Sequence, residues 1–132
     1  MRPRIRVKKP VVYYAHCMAL YGTNKERQDI KDLERMGFRV DNPNSAKHKK
    51  IVASMRANRK TSKEIMDYFV KVVKRADGLA FRALPDQSIS AGVHKEVKTM
   101  YNKGGFVLEL PEYDSRNAMS VNETRAYLRG QR

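Results

Sequence analysis

The stretch from Asp77 to Leu110, DGLAFRALPDQSISAGVHKEVKTMYNKGGFVLEL, decides the fold of this chain. It begins with an apolar run, Gly78 to Leu84, and continues with a polar loop, Pro85 to Gly92, that carries two serines and a glycine. A helical pattern follows, then a Gly-Gly pair and a second apolar run, Phe106 to Leu110. This order predicts a strand–loop–helix–strand (βαβ) unit. Open α/β sheets bind ligands at the carboxyl ends of their parallel strands, so we expect a binding site at the 85–92 loop.

The rest of the chain alternates strand and helix patterns on both sides of this unit. Three Ser/Thr-x-x-Glu motifs are capping boxes, which mark helix starts. They are Thr23 with Glu26, Thr61 with Glu64, and Ser120 with Glu123. The predicted strands are residues 11–15, 38–40, 78–84 and 106–110. Residues 45–60 are basic and only weakly periodic, and we expect a loop with some helix there. The alternation predicts an α/β fold: a three-layer, Rossmann-like or flavodoxin-like parallel sheet with flanking helices.

Length and composition predict a single globular domain. The chain has 132 residues, of which 41% are apolar, enough to bury a core without disulfides. We expect a basic leader over residues 1–10 and one α/β domain over residues 11–132. The single cysteine, Cys17, excludes an internal disulfide framework and favours a reducing, cytoplasmic setting. No apolar run reaches the ~18 residues of a membrane span, and polar residues interrupt the N-terminal apolar run, so neither a span nor a signal peptide is expected.

The charge of the chain is strongly positive. There are 28 Lys and Arg against 14 Asp and Glu, which gives a net charge of +14. Such an excess indicates an anionic partner, such as a nucleotide, a nucleic acid or a phosphate. It is concentrated in residues 44–75, which hold ten Lys or Arg and two acids. A solvated basic surface without a partner is the alternative interpretation.

Three features of the chain resemble the nucleoside 2-deoxyribosyltransferase-like superfamily, which includes deoxynucleoside 5′-monophosphate N-glycosidases. Strand 1 ends in VYYAHCM (residues 12–18), similar to the family's Tyr-x-(Ala/Cys)-Gly loop, and a helix with an early glutamate follows. Strand 2 leads into the proline-containing loop VDNPN (residues 40–44). The block ADGLAFRALPDQSISAGVHKEV (residues 76–97) is similar to the family's Ala-Asp, apolar strand and Ser/Asp-x-Gly-x-x-x-Glu. Together these features cover residues 11–110.

The resemblance implies a catalytic carboxylate. Glu96 lines up with the family's nucleophile, which attacks C1′ of the (deoxy)ribose and displaces the base, as in retaining glycosidases. Tyr13 lines up with the strand-1 tyrosine whose hydroxyl binds that carboxylate, whereas Tyr14 points to the opposite face and is expected in the core. We also expect the helix dipole to keep Glu96 ionised, since it follows the helix N-terminus. The alternatives are a solvated surface glutamate and a plain core tyrosine.

The resemblance also implies a phosphate-binding loop. Ser90 lies six residues before Glu96, where nucleotide-cleaving members carry a serine that contacts the 5′-phosphate and nucleoside-cleaving members tend to carry an aspartate. Ser88, Ser90 and the N–H groups around Gly92 would then form an anion site at a helix N-terminus. An ordinary polar loop is the alternative. The remaining substrate-binding candidates around the site are His16, Asn42, Asn44 and His94.

Two positions depart from the family pattern. The family's second catalytic acid, in the helix before strand 3, is replaced here by Phe69. The nearest acid is Asp67, but two residues along a helix correspond to a rotation of about 200°. Asp67 therefore assists the leaving base only if that helix is shifted. The family's Glu-Ile-Gly-x-Ala reads EVKTM here (residues 96–100), without the glycine that permits close helix packing.

The leading hypothesis is an N-glycosidase or deoxyribosyltransferase-like enzyme that cleaves the N-glycosidic bond of a (deoxy)nucleoside 5′-monophosphate. The alternative is a non-catalytic nucleotide- or nucleic-acid-binding module on the same fold, with nucleic acid lying along residues 44–75. Hydrolysis and transfer differ only in whether water or a second base attacks the ribosyl-enzyme. The resemblance further implies a homo-oligomer, generally a dimer. No cofactor and no metal are expected, because the His and Asp residues are scattered and no GxGxxG or P-loop motif occurs.

Overall fold

The structure, a computed structural model, describes residues 8–111 and 118–131. The expected leader therefore falls mostly outside the described residues, as does the connection at 112–117. The strands are β1 (Val11–Ala15), β2 (Arg39–Asp41), β3 (Gly78–Phe81) and β4 (Phe106–Glu109). The helices are α1 (Asn24–Arg35), α2 (Ala46–Ala57), α3 (Ser62–Arg75), α4 (Ala91–Lys103) and α5 (Val121–Gly130). A short 3-10 helix, Met18–Leu20, lies between β1 and α1.

The four described strands form one parallel sheet in the order β2-β1-β3-β4. In its centre, Tyr13 of β1 lies opposite Asp41 of β2 and Leu79 of β3. The chain runs from β1 outward to β2 on one side and from β3 outward to β4 on the other. The order therefore reverses between β1 and β3, and the crevice beyond their carboxyl ends is where such sheets bind ligands. The expected α/β class and parallel sheet are confirmed.

Side-chain alternation along the strands divides the core into two layers. Tyr13 and Ala15 of β1 pack with α3 and α4, whereas Val12 and Tyr14 pack with α1. The alternation follows from the two-residue period of a strand. The expected core position of Tyr14 is thereby confirmed, and the sheet lies between helices on both faces in the predicted three-layer arrangement.

Serine and threonine caps start the helices at the predicted places. Thr61 before α3 and Ser120 before α5 form complete capping boxes with the glutamates three residues later. Thr23 accepts from the Glu26 backbone N–H, but the Glu26 side chain does not return to Thr23. The Glu26 carboxylate instead accepts hydrogen bonds from His16, Asn44 and the Gly22 N–H. Every residue of α5 is exposed.

The expectation of a loop with some helix over residues 45–60 is wrong, because α2 is a regular helix of 12 residues. Ser45 caps it by accepting from the His48 N–H. The one buried residue of α2 is His48 itself. A histidine at the one buried position of α2 looks polar in a hydrophobicity pattern, which accounts for the weak periodicity of the sequence.

Three of the four strands differ in their bounds from the predictions. The second strand lies one residue later than expected, and the fourth ends one residue earlier. The third ends at Phe81 instead of Leu84; the next residue, Arg82, is buried and binds Asp29 of α1. None of the helices in the described ranges combines the length and the apolar character needed to cross a membrane.

Candidate functional site

A cavity of about 710 Å³ opens at the point where the strand order reverses. Its size lies within the range of small-molecule sites. Its walls come from the loop after β1, the loop after β2, helices α2 and α3, and the first two turns of α4. It is therefore formed by the loops that the sheet topology brings together, including the end of the predicted 85–92 loop.

Glu96 and Tyr13 face each other in this cavity. Tyr13 lies on β1 and is fully buried, and Glu96 lies on α4 with 7% of its surface exposed. The Tyr13 hydroxyl donates a hydrogen bond to Oε2 of Glu96. The structure thus contains the tyrosine–carboxylate contact that the resemblance implies, and the interpretation of Glu96 as a solvated surface residue is wrong.

The expectation that the helix dipole keeps Glu96 ionised is also wrong. Glu96 is the sixth residue of α4, so it lies in the second turn, where the influence of the dipole has faded. Burial raises the pKa of Glu96 to about 7, and the hydrogen bond from Tyr13 opposes this rise. Desolvation disfavours the charged form of a carboxyl group. Near neutral pH, Glu96 exists in both protonation states.

The two tyrosines at the site stay protonated at neutral pH. Burial raises the pKa of Tyr13 well above its ordinary value, and the negative charge of Glu96 adds to this effect. Burial also raises the pKa of Tyr21, which lines the cavity, with further contributions from Glu96 and Glu26. Both phenols therefore keep the hydrogen that a phenol can donate, and Tyr13 donates its hydrogen to Glu96.

The N-terminal turn of α4 faces the cavity. Ser90 is its N-cap residue and accepts from the Val93 N–H, which leaves the Ser90 hydroxyl hydrogen free to donate to a ligand. Ser90 and Gly92 both line the cavity. Ser88 and His94 do not: both are exposed, and Ser88 donates to the Asp86 carboxylate at 2.5 Å. A phosphate contact from Ser88 is therefore not supported.

His16 borders the cavity but is held in a buried network. Its Nε2 lies 2.7 Å from Oε2 of Glu26 and its Nδ1 lies 3.0 Å from the carbonyl oxygen of Tyr14. No part of the His16 side chain is exposed. Because both ring nitrogens are occupied, the expected contact of His16 with base or phosphate is not supported.

Glu26 links this network to the loop after β2. Its carboxylate accepts from Nδ2 of Asn44, at 3.1 and 3.3 Å, and from the Gly22 N–H at 3.2 Å. Asn44 lines the cavity. Asn42 does not; its side-chain oxygen accepts from the Asn44 N–H and so shapes the loop instead. Together these contacts explain why Glu26 leaves its capping box incomplete.

The helper-acid position is apolar. Phe69 lines the cavity, whereas Asp67 is exposed and does not reach it. The helix is not shifted in the way that would bring Asp67 into the site. Among the described residues that line the cavity, Glu96 is the one carboxylate.

Several cavity residues were not singled out by the sequence. The most informative are Lys49 and Arg56, two cations that α2 contributes to the wall. Both cations belong to the basic segment 44–75. That they share one face depends on the helical geometry of α2, which the sequence pattern does not predict. The other unpredicted lining residues are Cys17, Met18, Tyr21, Pro43, Val52, Ala53, Ser62, Ile65, Met66, Ala91 and Val93.

Within the described residues, no group of three or more His, Cys, Asp or Glu side chains is placed to hold a metal ion. Comparisons with protein-family models, curated proteins and solved structures find no match to this chain.

Proposed function

We propose that this protein is an N-glycosidase or deoxyribosyltransferase-like enzyme that cleaves the N-glycosidic bond of a (deoxy)nucleoside 5′-monophosphate, with Glu96 as its nucleophile. The observation that carries the proposal is the buried Glu96 carboxylate, hydrogen-bonded to Tyr13, at the wall of a cavity where the strand order reverses. A buried carboxylate in a cleft with a pKa raised to about 7 is a feature of functional sites.

The surroundings of Glu96 match the parts of a nucleotide. Ser90, the start of α4 and the cations Lys49 and Arg56 suit a phosphate. Apolar side chains of α2 and α3, among them Val52, Ile65 and Phe69, suit the face of a base. The one carboxylate in the wall then lies near the sugar.

The reaction follows the retaining course in two steps. In the first, a carboxylate oxygen of ionised Glu96 forms a bond to C1′ while the C1′–N bond breaks, and the base leaves with the bonding electron pair. In the second, water or another base forms a bond to C1′ while the bond between Glu96 and C1′ breaks. Glu96 leaves as a carboxylate, and the proton lost by the attacking group balances the one that the departed base takes up. The Tyr13 hydroxyl orients the carboxylate for the attack. Since the helper-acid position is Phe69, we expect bases that leave readily to react fastest.

The direct test is release of free base. The protein is incubated with each common nucleoside and deoxynucleoside 5′-monophosphate, and the products are separated by chromatography. We expect base release by the wild type and a loss of at least about 10³-fold in Glu96→Gln, as for other catalytic groups. The matched control is Glu64→Gln, an exposed glutamate in α3. A wild type that releases no base, or a Glu96→Gln variant as fast as wild type, excludes the mechanism.

A second candidate is a non-catalytic nucleic-acid-binding module. It is favoured by α2, which holds four cations and no acid, with Lys47 and Lys50 exposed. This function predicts binding to single-stranded or double-stranded DNA or RNA that weakens steeply with salt, because bound phosphates release counterions. Absence of binding at ~50 mM salt, or binding indifferent to salt, excludes it.

A further inference from the structure

We propose that α2 supplies the cations by which the cavity recognises phosphate, and that His48 is the positioning residue that holds α2 against the sheet. The proposal rests on the proposed function and names the side chains that would separate nucleotides from nucleosides. Neither Lys49 nor Arg56 follows from the family resemblance, and His48 lies outside the cavity.

The cations of α2 lie on the face that forms the cavity wall. Lys49, Val52, Ala53 and Arg56 all line the cavity. Their spacing of three and four residues places them on one side of a helix. The whole of α2, residues 46–57, carries no Asp or Glu, so no carboxylate of the same helix neutralises the wall. A dianionic phosphate is the ligand group that two such cations favour.

His48 lies on the adjoining, buried face of α2. Its Nε2 lies 2.7 Å from Oδ1 of Asp41, at the end of β2, and its Nδ1 lies 2.5 Å from the hydroxyl of Tyr68 in α3. Its ring also packs against the rings of Tyr68 and Phe69, with centroids 5.7 and 5.8 Å apart. His48 therefore joins α2 to both neighbours that border the cavity.

These contacts fix how α2 is rotated about its axis. The other inward side chains of α2, Ile51, Val52 and Met55, are only half-buried, so an apolar core holds this helix weakly. Each residue of a helix turns the chain by about 100°, and Lys49 directly follows His48. A rotation of α2 that releases His48 from Asp41 or Tyr68 therefore also turns Lys49 and Arg56 away from their present positions.

The test compares each deoxynucleoside 5′-monophosphate with the same nucleoside lacking phosphate. Binding is measured calorimetrically on protein carrying Glu96→Gln, so that the result does not depend on turnover. We expect Lys49→Ala and Arg56→Ala each to weaken nucleotide binding about tenfold, as for a lost charge-assisted hydrogen bond. Nucleoside binding should change less than about twofold. The matched control is Lys47→Ala with Lys50→Ala, two cations of the same helix that are exposed like Lys49 and Arg56 but do not line the cavity.

The role of His48 is tested by coupling. His48→Leu should weaken nucleotide binding about tenfold and nucleoside binding less, because Val52 shares the face of α2 that carries the two cations. When Lys49 and Arg56 are already alanine, His48→Leu should change the ratio of nucleotide to nucleoside affinity little further. Tyr68→Phe, which removes one of the two hydrogen bonds, should have a smaller effect of the same kind. If His48→Leu does not fold, as judged by circular dichroism, Tyr68→Phe alone provides the test.

Three results would overturn the proposal. One is equal loss of nucleotide and nucleoside binding in the His48 or Tyr68 variant, which is the mark of general loosening. Another is full additivity of His48→Leu with the two cation variants. The third is competition by a single-stranded oligonucleotide whose affinity depends on Lys47 and Lys50 as much as on Lys49 and Arg56. That result would assign the positive charge of α2 to binding of nucleic acid. Failure of base release by the wild type would refute the proposed reaction without changing these binding ratios.

Discussion

The Tyr13 hydroxyl donates a hydrogen bond to the Glu96 carboxylate across 83 positions of sequence. The bond joins the central strand β1 to the helix α4, inside the cavity at the carboxyl edge of the sheet. Burial and this hydrogen bond have opposite effects on the pKa of Glu96. Burial raises that pKa to about 7, and the hydrogen bond opposes the rise. The protonation of one carboxyl group thus links the stability of the fold to the proposed reaction.

The first prediction concerns the pH dependence of base release. A nucleophilic carboxylate must be ionised, so kcat/KM should rise about tenfold per pH unit below pH 7 and level off above it. The position of the bend follows from the pKa of Glu96, about 7. Initial rates at low substrate concentration between pH 5 and 9 provide the measurement. A rate that falls over the same range contradicts the nucleophilic role and favours a proton-donating Glu96.

Tyr13→Phe provides the control for this profile, because a substrate phosphate also titrates near pH 6. Loss of the Tyr13 hydrogen bond removes an effect that lowers the pKa of Glu96. The bend should therefore move to higher pH in the variant if it belongs to Glu96. A bend at an unchanged pH assigns the titration to the substrate.

The second prediction concerns stability. The pKa of Glu96 in the folded chain lies above its ordinary value of 4.5, so the folded state binds the proton more tightly than the unfolded state. The contribution of Glu96 to the free energy of unfolding is therefore fully present below about pH 4.5, and it declines as the pH rises toward 7. Glu96→Gln should stabilise the protein at pH 8, by up to about 3 kcal/mol, and leave its stability nearly unchanged at pH 4.5.

Urea unfolding of wild type and Glu96→Gln at pH 4.5 and pH 8 measures this difference. The Tyr13 hydroxyl can still donate to the amide oxygen of glutamine, so the variant keeps its hydrogen bond. A destabilised Glu96→Gln at pH 8 would show that Glu96 is a structural anion and would argue against a strained catalytic carboxyl.

Much of the fold follows from local signals. Thr61 and Ser120 start their helices where the capping boxes predict, because a cap depends on residues within one turn. The order of the strands does not follow from local signals, because the pairing of β1 with β3 joins residues more than 60 positions apart. No periodicity in the chain encodes which strands become neighbours.

The candidate site also has a part that the sequence predicts and a part that it does not. Glu96, Tyr13, Ser90 and Gly92 are brought together as the resemblance implies, because they lie on the strand ends and the helix that build the crevice. The orientation of His16 depends on Glu26, a partner ten positions away whose carboxylate serves two loops. Such long-range polar pairing leaves no hydrophobic pattern by which to predict it.

The third prediction compares two capping glutamates. Glu26 is buried and accepts hydrogen bonds from His16, Asn44 and Gly22. Glu64 is exposed, caps its own helix and pairs with the exposed Lys60. Hydrogen bonds to His16, Asn44 and Gly22 lower the pKa of Glu26 despite its burial. Glu26→Gln should therefore cost about 1–3 kcal/mol at pH 7, and Glu64→Gln should cost less.

The contribution of Glu26 to stability depends on pH with the opposite sign to that of Glu96. A folded pKa below the unfolded one stabilises the protein above the unfolded value, and this stabilisation is lost as the pH falls through the folded value. The difference between wild type and Glu26→Gln should hence shrink in acid. Thermal unfolding at pH 7 and pH 3 measures it, and a difference that stays constant would show that the charge of Glu26 is irrelevant.

The fourth prediction separates stability from the proposed activity. Arg82 binds Asp29 in a buried bidentate pair, with Nε to Oδ2 at 2.5 Å and Nη2 to Oδ1 at 2.7 Å, and the Tyr14 hydroxyl donates to the same carboxylate at 2.6 Å. Asp29→Ala leaves the buried Arg82 without this carboxylate and should cost about 3–5 kcal/mol. Asp29→Leu combined with Arg82→Met fills the same space with apolar groups and should recover a large part of that loss.

Neither Asp29 nor Arg82 lines the cavity, so base release per folded molecule should stay within about twofold of wild type in the double variant. Urea unfolding and base-release rates on the same samples test both statements, and an inactive but folded double variant would place this pair in the function of the site.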